Sequence, residues 1–118
     1  VFGRNVPHPR SYGTFARVLG LYARDKKLLP LETAVQKMSG FPAQRVGLSD
    51  RGVLRSGLKA DIAVFDAATV RDTATFEKPH SYAEGVSVVI VNGQVAFENG
   101  AMTTARPGRV LHGPSAKP

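Results

Sequence analysis

The sequence predicts an α+β fold in which helices come first and strands follow. Up to about residue 47, apolar residues recur at spacings of three and four, which is typical of amphipathic helices. From about residue 48 the pattern changes to short apolar runs separated by turns that contain Gly. We therefore divide the chain into a helical part, residues 1–47, a strand-rich part, residues 48–113, and a flexible tail, residues 114–118.

The composition is that of a single folded domain. The chain has 118 residues, 42% of them hydrophobic, which is enough to build one core. It contains no cysteine, so disulfides and thiolate metal sites are excluded. No apolar run reaches membrane-spanning length, and we expect a soluble, cytoplasmic protein without a membrane partner.

The charge is basic, with 16 Lys and Arg against 9 Asp and Glu and a formal net charge of +7. Such a charge raises the hypothesis of nucleic-acid binding. The basic residues are scattered, however, and Lys26-Lys27 is the only adjacent pair. They do not alternate with aromatic residues as a base-stacking surface requires. The residues therefore favour a chain without a nucleic-acid partner.

Two prolines stiffen the segment that carries His8 and Arg10. Pro7 and Pro9 fix their own φ and favour extended backbone before them, so we expect both side chains to project to the same side. An Arg on a stiff loop suits a carboxylate, because its planar fork makes two parallel hydrogen bonds at little ordering cost. The alternative is a solvated proline turn, which the spacing alone favours.

Two helices are predicted in the first part. Residues 12–28 place Phe15, Val18, Leu19 and Tyr22 on one apolar stripe, and Gly20 inside this helix costs about 1 kcal/mol relative to Ala, which predicts a close packing partner there. The second helix begins at Pro30 and ends at Gly40, and a further turn of helix follows over residues 41–46.

The clearest strand signals are two apolar runs and a hairpin turn. Residues 62–65 and 86–91 are continuous apolar or β-branched runs, which predicts strands buried on both faces. Asn92-Gly93 then favours a tight hairpin, with residues 94–98 as the returning strand. Alternation along that strand places Val95 and Phe97 on one side and Gln94, Ala96 and Glu98 on the other.

The residues by themselves contain no complete catalytic set. His8, His80 and His112 are far apart in sequence, and no acidic residue stands at metal-ligand spacing to any of them. There is no Gly-rich phosphate loop and no nucleophile elbow. Asp61 and Asp66 bracket a predicted strand and are interpreted as turn residues. We expect no metal ligand and no catalytic residue within this chain.

Several motifs resemble the N-acyl-D-amino-acid deacylases, the D-aminoacylase branch of the metal-dependent amidohydrolases. Residues 8–20, HPRSYGTFARVLG, resemble the HPR-x-x-G-T-F-x-R-x-L-G segment of that branch. Residues 31–38 are similar to the L-E-x-A-V-x-K-M helix of that branch, and residues 42–48 are similar to the P-A-x-x-x-G-L segment that follows it. Residues 52–66 are similar to a strand found in many amidohydrolases, whereas residues 106–111, RPGRVL, point to this branch.

The resemblance implies a (β/α)₈ barrel with a small β-sandwich assembled from both chain ends. Residues 1–47 would supply the last barrel loop and the C-terminal helices, and residues 48–113 would supply the C-terminal part of the sandwich. The implied reaction is hydrolysis of the amide bond of an N-acyl-D-amino acid by water bound to zinc, with an Asp as general base and acid. Arg10 would bind the substrate carboxylate, and His8 is a second candidate substrate-binding residue.

The sequence departs from this family in one respect. In the family the catalytic Asp lies shortly before HPR, whereas residues 1–7 contain no acidic residue and the first is Asp25. The family's metal ligands lie on earlier strands. We therefore expect zinc to belong to the parent enzyme, the partner of this chain to be the N-terminal barrel portion of that enzyme, and the chain alone to be inactive.

Three hypotheses remain open. As the C-terminal fragment of a deacylase, the chain would expose apolar residues on both helices, because the barrel that covers them is missing. As a free-standing, non-catalytic interaction module, it would have a closed core. As a basic nucleic-acid-binding domain, it would show a steep salt dependence of binding.

Overall fold

The structure is a computed structural model and describes residues 5–112. Within these residues the elements are, in chain order, α1 (Arg10–Arg17), a π-helical segment (Val18–Asp25), α2 (Leu31–Met38), α3 (Gly40–Arg45), β1 (Ile62–Phe65), β2 (Val86–Val91), β3 (Gln94–Glu98) and β4 (Ala101–Met102). The predicted α+β fold is confirmed. The predicted tail, residues 114–118, lies outside the described residues.

Contacts between Cα atoms group the described chain into two units. The first unit comprises residues 5–34 and 65–86, and the second comprises residues 35–64 and 87–112. The division at residue 47 concerns the parent protein and stays a prediction. No helix within residues 5–112 is long and apolar enough to cross a lipid bilayer.

The first predicted helix begins earlier than expected and changes its winding. Helix α1 begins at Arg10, and the π-helical segment continues it to Asp25. The amide of Lys26 donates to the carbonyl of Leu21, five residues back, at 2.9 Å. Lys27 follows with a φ of 50°, a left-handed conformation that ends the helix before the predicted residue 28.

Small side chains form most of the buried face of this helix. The buried positions are Gly13, Ala16, Leu19, Gly20 and Ala23. A Cβ at Gly20 would collide with the carbonyl oxygen of Val70, so the predicted close packing partner is confirmed. The predicted apolar stripe is only partly buried, since Leu19 is buried but Phe15 is 66% exposed. Residues 66–74 approach the helix most closely at its two glycines, since a Cβ at Gly13 would collide with Asp72 and one at Gly20 with Val70.

The rest of the first unit is extended chain held by turns. The amide of Val70 donates to the carbonyl of Asp66 at 2.8 Å, and Val70 itself is fully buried. Arg71 and Glu84 form an isolated antiparallel bridge. Gly85, with a φ of 86°, lies directly against Val70. These contacts pack residues 66–74 into a fixed path beside the helix.

Helices α2 and α3 confirm the second helical prediction with one correction. Gly40 does not end a helix but begins α3, because Ser39, with φ −128° and ψ −76°, interrupts the helical backbone one residue earlier. Val35 and Phe41 are 39% and 47% exposed. Phe15 and Val35 are thus exposed apolar residues on the two predicted helices, whereas Leu19 is buried, and an exposed apolar face on each helix stays a prediction.

The sheet has the strand order β1-β2-β3-β4. Strands β2 and β3 are antiparallel, and Asn92 and Gly93 join them with φ values of 48° and 78°, so the predicted hairpin is confirmed. Ala96 is buried, although the prediction places it on the same side as Gln94 and Glu98, which are exposed. A bulge pairs Val89 with Phe97 and Ile90 with Val95, which shifts the alternation and buries the intervening Ala96.

The two outer strands differ from the sequence prediction. Strand β1 is not buried on both faces, because it lies at the edge of the sheet with Ala63 and Val64 exposed. Strand β4 is not predicted at all. It follows a second two-residue turn, Asn99-Gly100, with φ values of 52° and 79°.

Candidate functional site

The candidate site is the turn that carries the predicted binding residues, residues 7–10, which we call the HPR turn. Pro9 is helical, with φ −50° and ψ −30°, so the backbone between His8 and Arg10 is not extended. The fixed φ of proline suits the first turn of a helix equally well. The amides of Ser11 and Tyr12 each donate, at 3.0 Å, to the carbonyls of His8 and Pro9. Arg10 is thereby the first residue of α1.

Arg10 has a fixed backbone and an exposed side chain. Its amide donates to Nδ1 of His8 at 3.1 Å, and its carbonyl accepts from Oγ1 of Thr14 at 2.6 Å. Within residues 5–112 its guanidinium forms no ion pair, unlike that of Arg17 or Arg24. The site therefore offers an unpaired cation with five donors on a stiff backbone.

The ring of His8 accepts a hydrogen bond from the amide of Arg10. The ring of His8 also meets that of Phe76 edge to face, with the centroids 5.0 Å apart. His8 remains exposed. The structure thus places both predicted binding residues on one turn, and their role stays a prediction.

A second histidine, His80, joins the two ends of this turn. His80 Nε2 lies 2.9 Å from the carbonyl oxygen of Asn5, and His80 Nδ1 lies 2.8 Å from the hydroxyl of Tyr12. A carbonyl can only accept, so Nε2 donates and Nδ1 accepts from Tyr12. His80 and Tyr12 are 68 residues apart in the chain, and no local pattern signals their contact.

The segment that carries His80 is itself well anchored, and we call residues 72–82 the anchoring loop. The hydroxyl of Thr73 donates to the carbonyl of Tyr82 at 2.7 Å. The hydroxyl oxygens of Thr73 and Ser81 lie 2.8 Å apart. The ring of Tyr82 meets that of Tyr12 edge to face at 5.5 Å. Pro79, within the loop, is buried. The anchoring loop is therefore a fixed support for the HPR turn.

An ion pair attaches the anchoring loop to α1. Nε of Arg17 lies 2.7 Å from Oδ2 of Asp72, whose side chain is 4% exposed. The other carboxylate oxygen accepts from the amide of Ala74 at 2.9 Å. A Cβ at Gly13 would collide with this carboxylate, so the pairing needs a glycine at that position of the helix.

Two further carboxylates of the first unit, those of Asp66 and Glu77, accept hydrogen bonds from neighbouring residues. The amide of Ala68 and the hydroxyl of Thr69 donate to Asp66 at 2.8 and 2.9 Å and hold its pKa below the ordinary value. The backbone amide of Glu77 and the hydroxyl of Thr75 lower the pKa of Glu77 in the same way. A carboxylate with a depressed pKa is a weak base, which agrees with the interpretation of Asp66 as a turn residue.

The zinc that the resemblance implies does not fit the side chains described here. Within residues 5–112 no group of three His, Cys, Asp or Glu residues could hold a metal ion. Both ring nitrogens of His80 already have protein partners, and Nδ1 of His8 accepts from Arg10. We derive no chemical step through a metal from these residues.

Residues 3–97 match the sequence model of the amidohydrolase family. The chain belongs to the amidohydrolase family. Among curated relatives, the D-aminoacylase of Alcaligenes xylosoxydans xylosoxydans is 57% identical over 105 residues, which cover 89% of this chain and 22% of that protein. The N-acyl-D-glutamate deacylase of the same organism is 50% identical over 105 residues, which cover 89% of this chain and 21% of that protein.

Solved amidohydrolase structures agree with these relatives. A crystal structure of D-aminoacylase superposes with a TM-score of 0.88 at 53% identity and covers 90% of this chain and 22% of its own. N-acyl-D-glutamate deacylase from Bordetella bronchiseptica, complexed with zinc and a phosphonate inhibitor, has a TM-score of 0.84 at 45% identity and covers the same shares. The resemblance is confirmed, and this amidohydrolase chain spans about a fifth of the length of its relatives.

Proposed function

We propose that this chain is the C-terminal portion of an N-acyl-D-amino-acid deacylase and that its HPR turn binds the carboxylate of the substrate. The observation that carries the proposal is the guanidinium of Arg10, exposed and without an ion pair among the described residues, on a turn fixed from both sides. Sequence identity of 47–57% to three curated deacylases over 89% of the chain supports N-acyl-D-amino acids as the substrate class.

The chemistry of the substrate matches this side chain. An N-acyl-D-amino acid carries one free carboxylate, while its amide is neutral. A guanidinium binds a carboxylate through two parallel N–H···O bonds, which fix both position and orientation. Arg10 would therefore hold the substrate by its acid group, and His8 lies close enough on the same turn to contact the substrate as well.

Bond cleavage would be the task of the rest of the enzyme. The first acidic residue, Asp25, is paired with Arg24 at 2.7 Å, which lowers its pKa and removes it as a candidate base. When bound to the ligands of the parent barrel, zinc would supply an activated water. This chain contributes substrate binding, and its partner is the N-terminal barrel portion of the same protein.

The exposed apolar residues support this assignment. Phe15, Val35 and Phe41 lie on the helices that residues 1–47 would add to a (β/α)₈ barrel. Residues 48–113 would add strands to a small β-sandwich. A free-standing interaction module would instead bury these side chains, and no feature of the described residues favours nucleic-acid binding over the deacylase assignment.

The test uses the complete protein that contains these residues. Purified with zinc, it should hydrolyse N-acetyl-D-amino acids and leave the L enantiomers intact, whereas the 118-residue chain alone should hydrolyse neither. Release of the free amino acid is followed by chiral chromatography. Absence of D-specific hydrolysis in the complete protein, or hydrolysis by the isolated chain, would overturn the proposal.

A further inference from the structure

We infer that His80 is a positioning residue for Arg10: it bonds to the Asn5 carbonyl before the HPR turn and to the Tyr12 hydroxyl after it, and thereby fixes the backbone that carries the guanidinium. The inference rests on the proposed function only in so far as Arg10 binds the substrate carboxylate. The positioning itself is a property of the described residues and can be measured without any substrate.

The geometry is that of a single ring joining two chain segments. Asn5 precedes the HPR turn and Tyr12 follows it, and the imidazole of His80 bonds to both, at 2.9 and 2.8 Å. The turn between them therefore has both ends fixed to the same group. Displacement of the turn from its place between Asn5 and Tyr12 would require breaking one of these two bonds.

The hydrogen-bond pattern assigns one tautomer to His80. The carbonyl of Asn5 accepts a hydrogen from Nε2, so in the neutral ring Nδ1 is the acceptor for the Tyr12 hydroxyl. With both nitrogens engaged, the ring is not available as a metal ligand or as a proton carrier in this arrangement. Its remaining role is to fix the turn.

His80 can perform this role because its own backbone is fixed. The anchoring loop closes on itself through Thr73 and Tyr82, and it is attached to α1 through the Arg17–Asp72 ion pair. The amide of Ser81, next to His80, donates to the carbonyl of Pro79 at 2.9 Å. The ring thus stands on a rigid support, which is the condition for orienting a binding group within a few tenths of an ångström.

Preorganisation has a specific kinetic consequence. A guanidinium held in its binding orientation loses little conformational freedom when the carboxylate arrives. Loss of His80 should therefore weaken substrate binding through Arg10, and only through Arg10. This dependence separates positioning from a general contribution to stability, which would act whether Arg10 is present or not.

The first experiment measures the turn in the 118-residue chain by NMR. In ¹⁵N-labelled protein, His80 should show the Nε2–H tautomer. Amide hydrogen exchange at Ser11, Tyr12 and Gly13 should be about tenfold faster in His80→Ala, as expected for loss of one or two hydrogen bonds. His80→Gln, which keeps a donor for Asn5, should recover part of the protection, and His112→Ala is the matched control.

Unchanged exchange in His80→Ala, or an Nδ1–H tautomer, would overturn the inference. If His80→Ala does not fold, as judged by far-ultraviolet circular dichroism, Tyr12→Phe takes its place. That variant removes only the hydroxyl that donates to Nδ1, and it should also accelerate exchange at the same amides.

The second experiment is a double-mutant cycle in the complete enzyme. His80→Ala should raise KM about tenfold with kcat nearly unchanged, and it should have no further effect on KM when Arg10 is already Gln. If His80→Ala raised KM equally with Arg10 present and with Arg10→Gln, the positioning role of His80 would be refuted. If Arg10→Gln leaves KM unchanged, the proposed function fails, and the exchange experiment still decides whether His80 fixes the turn.

Discussion

Nε of Arg17 lies 2.7 Å from Oδ2 of Asp72, and this ion pair attaches α1 to the loop that supports the HPR turn. The Asp72 side chain is 4% exposed and that of Arg17 is 42% exposed. A nearly buried carboxylate that loses its cation keeps the cost of its desolvation without the compensating attraction. Loss of the ion pair should therefore destabilise the fold mainly through the buried carboxylate of Asp72, even though Arg17 is partly exposed.

We expect Arg17→Met to lower the free energy of unfolding by about 1–3 kcal/mol, because it leaves the Asp72 carboxylate unpaired. Urea denaturation followed by circular dichroism measures the change. Arg109→Met, at an exposed Arg, is the control and should change stability by less than about 0.5 kcal/mol. Equal effects of the two substitutions would show that the ion pair contributes nothing.

Substitutions at two glycines with positive φ distinguish the cost of backbone strain from the cost of a steric collision. Gly85 and Gly93 have φ values of 86° and 78°, so Ala at either position costs about 1–2 kcal/mol. A Cβ at Gly85 would also collide with the backbone of Val70, whereas at Gly93 nothing lies within 4 Å. Gly85→Ala should therefore cost about 1–3 kcal/mol more than Gly93→Ala. Coinciding urea midpoints for the two variants would contradict the packing of Val70.

The lowered pKa of Asp66 predicts that the stability of the fold depends on pH. Hydrogen bonds from Ala68 and Thr69 lower its pKa in the folded state below the unfolded value of about 3.9. The folded state therefore binds a proton less readily, so the stabilisation is fully present above that value and is lost as the pH falls through the depressed pKa.

Asp66→Asn should accordingly be less stable than the unmodified chain at pH 7, and the two melting temperatures should converge toward pH 2. Thermal melts at intervals between these values measure the difference, and Glu98→Gln, at an exposed position in β3, is the control. A difference that stays constant down to pH 2 would mean that the ionised form of Asp66 is not favoured by folding.

Local signals account for what the sequence predicts correctly. Asn92-Gly93 specifies its hairpin because both residues readily adopt positive φ, and Pro30 marks the start of α2 for a similarly local reason. Asn99-Gly100 carries the same signal as the first hairpin. It escapes prediction because the strand that follows, Ala101–Met102, is too short for a pattern.

The failures come from contacts distant in the chain. The predicted apolar stripe leaves Phe15 exposed because Val70, far along the sequence, approaches the helix where Gly20 leaves space. His80 reaches Tyr12 across 68 residues, which no periodicity reveals. Arg10 can be proposed as a binding residue from sequence because it belongs to a contiguous motif, whereas the groups that hold its turn belong to no such motif.

The central claim, that Arg10 recognises the substrate carboxylate, is tested most directly by changing both partners in the complete enzyme. Specificity constants are measured for the unmodified enzyme and for Arg10→Gln, with an N-acetyl-D-amino acid and with its carboxamide. We expect the substitution to lower kcat/KM for the acid by about 10- to 100-fold, as for a lost charge-assisted hydrogen bond, and to leave the carboxamide nearly unaffected. An equal loss for both substrates would contradict the account.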